Sequence, residues 1–262
     1  MSERHSDANR QPSRRRRIPV MEQVWQDLLF LHWPLPAPAL RAVVPRDLEI
    51  EEFDGTAWIG ITPLTIRGMR PPYVPPVPLL SGTLEINVRT YVRYAGISGI
   101  WFLSLEASNR LAVLGARVGF GLPYFPANMA KLAIGETIAM ESRRTAGPQR
   151  AELAVEWTRG KALPLAEPGT LEFFLIERFC LYTYLRKRLK RVRIRHRPWP
   201  LCEATVDVLD ESLIESHGLR VSGRPLVHAQ REAFQVEAEL PESPEKLLDA
   251  EIGSASALRS HS

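Results

Sequence analysis

The chain has 262 residues, 45% hydrophobic and 24% charged, which excludes wholesale disorder and supplies a sizeable core without disulfides or a structural metal. Its 34 basic and 30 acidic residues leave a net charge of +4, and the excess is local: residues 1–17 carry six arginines against Glu3 and Asp7. No apolar run reaches the ~18–20 residues of a membrane-spanning helix. The two cysteines, Cys180 and Cys202, lack C-x-x-C spacing, which excludes a disulfide scaffold and zinc knuckles and fits a reducing, cytoplasmic setting.

Residues 1–20 read as a disordered basic extension, polar and without periodicity. Their arginine pairs are no export signal, because Ile18 to Met21 run straight into Glu22 with no apolar region. A single domain is expected over 21–240, followed by a polar tail over 241–262. Residues 22–30 suggest a short helix leading into His32-Trp33-Pro34, and 38–44 a second helical turn between prolines. Around Asp54-Gly55, 48–53 and 57–66 predict a hairpin, with Pro63 marking a bulge or an edge. Five prolines in 70–78 make an extended loop.

The strand at 84–94 is the most informative. Leu84, Ile86, Val88, Thr90 and Val92 alternate with Glu85, Asn87, Arg89, Tyr91 and Arg93. After a turn through Gly96 and Gly99, 100–107 predicts another strand. Residues 110–119 predict a mostly buried helix capped by Ser108 or Asn109, with Arg110 and Arg117 on one face. A hairpin is expected from 136–143 and 151–159 through Gly147-Pro148. Residues 170–184 fit helix or strand, and 204–209 and 225–237 fit strands. Residues 186–197 hold eight basic residues and no acid, and their period-two pattern predicts an exposed edge strand whose charges discourage pairing. No aromatic platform is interleaved with them, so specific nucleic-acid binding is not expected. Many strands with few helices argue for an α+β, mostly β fold: an antiparallel sheet or barrel decorated by short helices.

Phosphate-binding glycine loops and the G-x-S-x-G elbow are missing, and the six histidines never fall at metal-ligand spacing. No metal and no cofactor are therefore expected. Only five basic residues are lysines. Lys131 is the only one placed for imine chemistry, yet it follows Pro126 and should leave any pocket behind Tyr124.

Several segments in order carry a resemblance: His32-Trp33-Pro34, Phe53-Asp54-Gly55, the run from Glu85 through Tyr91, and the run from Trp101 through Leu105. Gly115-Ala116-Arg117, Gly121-Leu122-Pro123-Tyr124, Glu177-Arg178-Phe179, Leu181-Tyr182 and the run from His196 through Leu201 continue it. Over residues 24–240 the chain resembles the YqjF-like family, a domain of unknown function (2071) in the acetoacetate-decarboxylase-like superfamily. The resemblance implies an antiparallel β-barrel with flanking strands and helices around a mostly apolar cavity. Acetoacetate decarboxylase forms its imine on the first lysine of a Gly-Phe-Pro-Lys-Lys turn. The matching turn here is Gly121-Leu122-Pro123-Tyr124-Phe125, which carries no lysine, so the imine mechanism does not transfer. Glu85 matches the family enzymes' active-site glutamate on a barrel strand.

Two surroundings fit the polar face of the 84–94 strand. Facing solvent, it is an ordinary half-wet strand; facing a cavity, it is a set of convergent polar groups. In the second case Arg89 binds a carboxylate bidentately, Asn87, Tyr91, Arg110, Arg117 and His32 complete a ligand site, and Glu85 with Tyr124 supplies acid–base chemistry. The structural alternatives are a buried ion pair of Arg110 or Arg117 with Glu85 or Glu106, packed turns for His32 and His196, and structural charges for Glu177 and Arg178. The expected ligand is a small apolar organic acid or carbonyl compound. A non-catalytic ligand-binding or interaction barrel is the alternative, and nucleic-acid binding through 186–197 the weakest. Homo-oligomerisation is left open.

Overall fold

The computed structural model describes residues 19–76 and 80–244. Most of the 1–20 and 241–262 segments, and part of the proline-rich loop, lie outside the described residues. Fifteen strands dominate: β1 (Met21–Gln26), β2 (Leu29–Leu35), β3 (Glu49–Ile50), β4 (Glu52–Phe53), β5 (Thr56–Arg70), β6 (Thr83–Tyr94), β7 (Ile97–Ala107), β8 (Tyr124–Ile134), β9 (Thr137–Arg144), β10 (Glu152–Ala162), β11 (Cys180–Leu185), β12 (Arg188–Arg195), β13 (Leu201–Glu211), β14 (Leu226–Gln230) and β15 (Phe234–Ala238). Three helices interrupt them: α1 (Ala37–Leu40), α2 (Arg110–Phe120) and α3 (Leu171–Ile176). Among the described residues no helix is long and apolar enough to cross a membrane.

The strands close two hydrogen-bonded rings that share β5, β6 and β7. One ring of nine runs β7-β8-β9-β10-β13-β14-β2-β5-β6 and returns to β7. Its interior is filled: Leu31, Ile61, Val88, Met140, Leu153 and Trp157 pack in one cluster with almost no exposure. The other ring of seven runs β7-β6-β5-β1-β15-β12-β11 and closes on β7 through a short parallel pair, Leu181 with Ile100 and Tyr182 with Trp101. This ring is hollow.

Sharing β6 between two rings explains its alternation. Ile86 and Val88 enter the filled ring, while Glu85, Asn87 and Arg89 face the hollow one. A bulge against β7 falls between Val88 and Arg89. Pro63 is neither at an edge nor in a bulge. β5 pairs with β2 as far as Ile61 and with β1 from Thr65 onward, so Pro63, which has no N–H to give, occupies the gap between two partners. On its other side it lies opposite Ile86.

Three local expectations are corrected. Residues 22–30 are two strands, not a helix; the chain breaks between them at Asp27, whose φ of 52° lies in the left-handed region. Helix α2 is capped as the sequence suggests, with Asn109 Oδ1 accepting from the Leu111 and Ala112 N–H groups at 3.0 and 3.2 Å. Gly121 ends it at φ 67°. But α2 is not mostly buried: only Val113 is, while Leu114 and Val118 are 59% and 72% exposed. Its apolar residues border the open volume of the hollow ring rather than a packed core. The basic strand β12 is not an exposed edge. It lies between β11 and β15, and its Arg191 and Arg193 are buried on the face opposite Val192 and Ile194, which line the ring's interior.

Both hairpins and the divided stretch follow their expectations, while 225–237 is two strands, β14 and β15, rather than one. Glu52 and Phe53 pair with Ala57 and Thr56 around Asp54-Gly55, both at positive φ as a tight hairpin turn requires. β9 and β10 form the second hairpin. The ambiguous stretch 170–184 divides into α3, capped by Thr170, and β11.

Candidate functional site

All seven strands of the hollow ring contribute to one cavity of about 280 Å³. Its walls are mostly apolar, with Trp25, Ile100, Phe102, Leu181, Val192 and Val236 from the ring. One side is closed by α2, and Ile176, Trp199 and His196 close another part. Into this apolar volume β6 projects Glu85, Asn87 and Arg89 at period-two spacing, and the start of β8 adds Tyr124.

Glu85 is 4% exposed. Tyr124 Oη donates to its Oε2 at 2.6 Å. Burial raises the Glu85 carboxyl to about 7; hydrogen bonds from Tyr124 and Asn87 oppose the rise, and Glu106 behind the wall adds to it. The Tyr124 phenol is pushed well above its ordinary range by burial and by Glu85. A carboxyl balanced near neutrality and joined to a phenol is able to hold or release a proton at ordinary pH. Asn87 Oδ1 is buried without a hydrogen-bond partner.

Arg89 is 5% exposed. Its Nη2 donates to the Leu175 carbonyl at 3.3 Å, its guanidinium lies 5.1 Å from the Phe30 ring centroid, and its Nε has no acceptor. Burial lowers its pKa, Tyr91 opposes the fall and Arg178 adds to it, with no carboxylate among these groups. Arg178 is the contrast. It lines the same cavity, yet its Nη1 donates to Glu51 Oε2 at 2.6 Å, and Glu51 also accepts from Arg93 and Ser98. The Arg178 charge is thus answered inside the protein; the Arg89 charge is not.

The remaining sequence candidates divide. His32 and Tyr91 are fully buried, joined to each other at 2.7 Å between Nε2 and Oη, and Tyr91 donates to the Leu175 carbonyl at 2.7 Å. They stand behind the wall as neighbours of Arg89 and do not line the cavity. Burial holds His32 well below its ordinary pKa, with Arg89 adding to the effect. Arg110 and Arg117 are not brought to the cavity, and neither forms the buried ion pair. Arg117 Nε donates to the Tyr124 carbonyl at 2.6 Å, and Arg144 is the partner of Glu106. Lys131 leaves the pocket as expected, donating to Asp27 at 2.6 Å and Thr65 at 2.8 Å. Among the described residues no lysine lines the cavity.

Two titratable residues of the cavity wall were not among the sequence candidates for the site. Arg178 reads as a structural charge and is one, but it also borders the cavity. His196 is a packed turn, stacked on Phe179 at 4.8 Å, and also part of the wall. The signal available for both was that the family-like segments from Glu177 and from His196 carry them.

Residues 22–233 match the family DUF2071, described as "Uncharacterized conserved protein". The chain is 40% identical over 210 residues to the uncharacterized protein YqjF of Bacillus subtilis (strain 168), across 80% of this chain and 86% of that one. Among solved structures it is similar to an acetoacetate decarboxylase-like enzyme from Sphingomonas wittichii RW1, with a TM-score of 0.58 at 11% identity, over 86% of this chain and 93% of that one. The enduracididine biosynthesis enzyme MppR complexed with pyruvate is similar with a TM-score of 0.54 at 12% identity, over 86% and 90% of the two chains. At these identities the likeness is one of fold, and the fold is acetoacetate-decarboxylase-like.

Proposed function

The chain belongs to the DUF2071 family, and from that premise we propose that its hollow ring binds an organic acid or carbonyl compound, with Arg89 as the anion anchor and Glu85 with Tyr124 as the acid–base pair. The observation that carries this reading is the Arg89 guanidinium, buried in a cavity wall without a carboxylate among the described groups that act on it. A buried charge without a counter-ion is costly, and an anion in the cavity would answer it with charge-assisted hydrogen bonds.

No lysine lines the cavity among the described residues, and the reading takes an acid–base route rather than an imine. Glu85, near neutrality in its pKa, would take a proton from a carbon beside a carbonyl, or give one to a leaving oxygen, with Tyr124 holding the carboxylate between turnovers. Enolisation, dehydration and hydrolysis are the reactions open to such a pair. The pyruvate complex of MppR is a precedent for an oxo acid in this fold. Binding without turnover is the second reading, favoured by the Glu85–Tyr124 hydrogen bond, which already engages both groups. A nucleic-acid role for 186–197 is the weakest reading; burial takes Arg191 and Arg193 out of any such surface.

A thermal-shift screen of carboxylic and 2-oxo acids on wild type and Arg89→Ala tests the reading. An acid at 100 times its Kd should stabilise wild type by about 2.7 kcal/mol and leave Arg89→Ala unmoved. Equal stabilisation of both proteins, or of neither, would refute the anchor. Deuterium exchange from D₂O into the bound acids then separates catalysis from binding.

A further inference from the structure

The hollow ring also carries information about what lies beyond the anion, on the reading that Arg89 is the anchor. At ~30 Å³ per small group, a water's share of liquid volume, the cavity of about 280 Å³ holds about nine such groups, well beyond a pyruvate-sized acid. Beyond the β6 groups Glu85, Asn87 and Arg89, the strands β11, β12 and β15 offer Leu181, Val192 and Val236, with Arg178 and His196 at the strand ends beside them. Helix α2 borders this apolar side with Ala112, Gly115 and Ala116 between the bulkier Leu111 and Phe120 at its two ends. A Cβ built on Gly115 meets no atom within 4 Å. Small residues one turn apart therefore leave unfilled volume beside an apolar wall, and at the edge of that volume stands Arg89, its Nε unpartnered.

We propose that the ligand is an amphipathic carboxylic acid with an apolar body of about six or seven carbons, its carboxylate on Arg89 and its body laid along α2. Gly115 is a specificity-determining position, because the room it leaves is the room the acid's far end takes.

Calorimetric titration with straight-chain acids from acetate to dodecanoate reads this directly. Affinity should rise about fourfold per methylene, the factor for burying one such group, and turn over near eight carbons. Arg89→Gln removes a buried charge and leaves the fold intact; it should lower every affinity by a common factor while keeping the slope. Gly115→Leu, at an open helical position, should melt no lower than wild type, bind the short acids as before and lose the gain for the longest. A flat chain-length dependence, or an unaltered ladder in Gly115→Leu, would overturn the proposal and leave the Arg89 anchor standing. If no acid of any length binds, or if Arg89→Gln binds as wild type does, the anchor itself fails and the proposal with it.

Discussion

Glu85 and Arg89 lie four residues apart on β6, face the same volume, and meet opposite electrostatic fates. The carboxyl is shielded from cost by keeping its proton; the guanidinium cannot shed its charge so readily. The Glu85 carboxyl has a folded pKa of about 7 against an ordinary value of 4.5. The unfolded chain therefore ionises first, and the stability Glu85 contributes is complete below pH 4.5 and lost as pH rises through 7. At 1.36 kcal/mol per pKa unit the loss is about 3 kcal/mol. Urea unfolding of wild type and Glu85→Gln between pH 5 and 8 should show the stability difference moving toward the variant by most of that amount; parallel curves would contradict the assignment. At the neighbouring shared strand, a Cβ on Gly60 would stand 2.7 Å from His32 Cδ2. Gly60→Ala should accordingly cost about 1–3 kcal/mol, as overpacking does, and displace the His32–Tyr91 pair behind Arg89. Unchanged melting would show that the ring moves aside freely.

Helix α2 is the element whose behaviour departs most from its composition. Nearly every residue from Leu111 to Phe120 is apolar or glycine, which reads as a buried helix, yet it covers a cavity on one side and meets solvent on the other. With only Val113 buried, it has few packed contacts to resist local opening. Its amides should exchange roughly a hundredfold faster than those of β6, and a bound long-chain acid should slow them selectively; hydrogen exchange resolved by mass spectrometry checks both. The alternation of β6 and the turns at Asp54-Gly55 and Gly147-Pro148 were legible because period-two patterning and turn chemistry are local. The two strands in place of a helix over 22–30 were not, since a lone Asp27 with no glycine or proline beside it is only a weak turn signal. Nor was the interior place of β12, because its burial is decided by β15, some forty residues away. The partner of Arg178 is likewise remote, Glu51 from the other half of the chain, which is why a residue bordering the site reads as an ordinary charge.

At the scale of the molecule, two rings share three strands and differ in how they are filled. Large-to-small changes should reveal the difference. Trp157→Ala in the filled ring should cost about 3–5 kcal/mol, whereas Phe102→Ala in the cavity wall should cost about 1–2 kcal/mol, because one side of that ring already faces open volume. Equal losses in chemical denaturation would mean that the second ring is packed in solution. The closure that creates the cavity, β1 on β5 and β11 on β7, joins segments far apart in sequence and leaves no local trace, though the family-like segments carried the fold as a whole. The most direct test of the account is a crystal structure of the protein with the acid that raises its Tm most. The account predicts carboxylate oxygens about 2.7–2.9 Å from the Arg89 guanidinium and an apolar body against α2. An acid bound outside the seven-strand ring, or an Arg89 covered by a carboxylate of the protein itself, would contradict it.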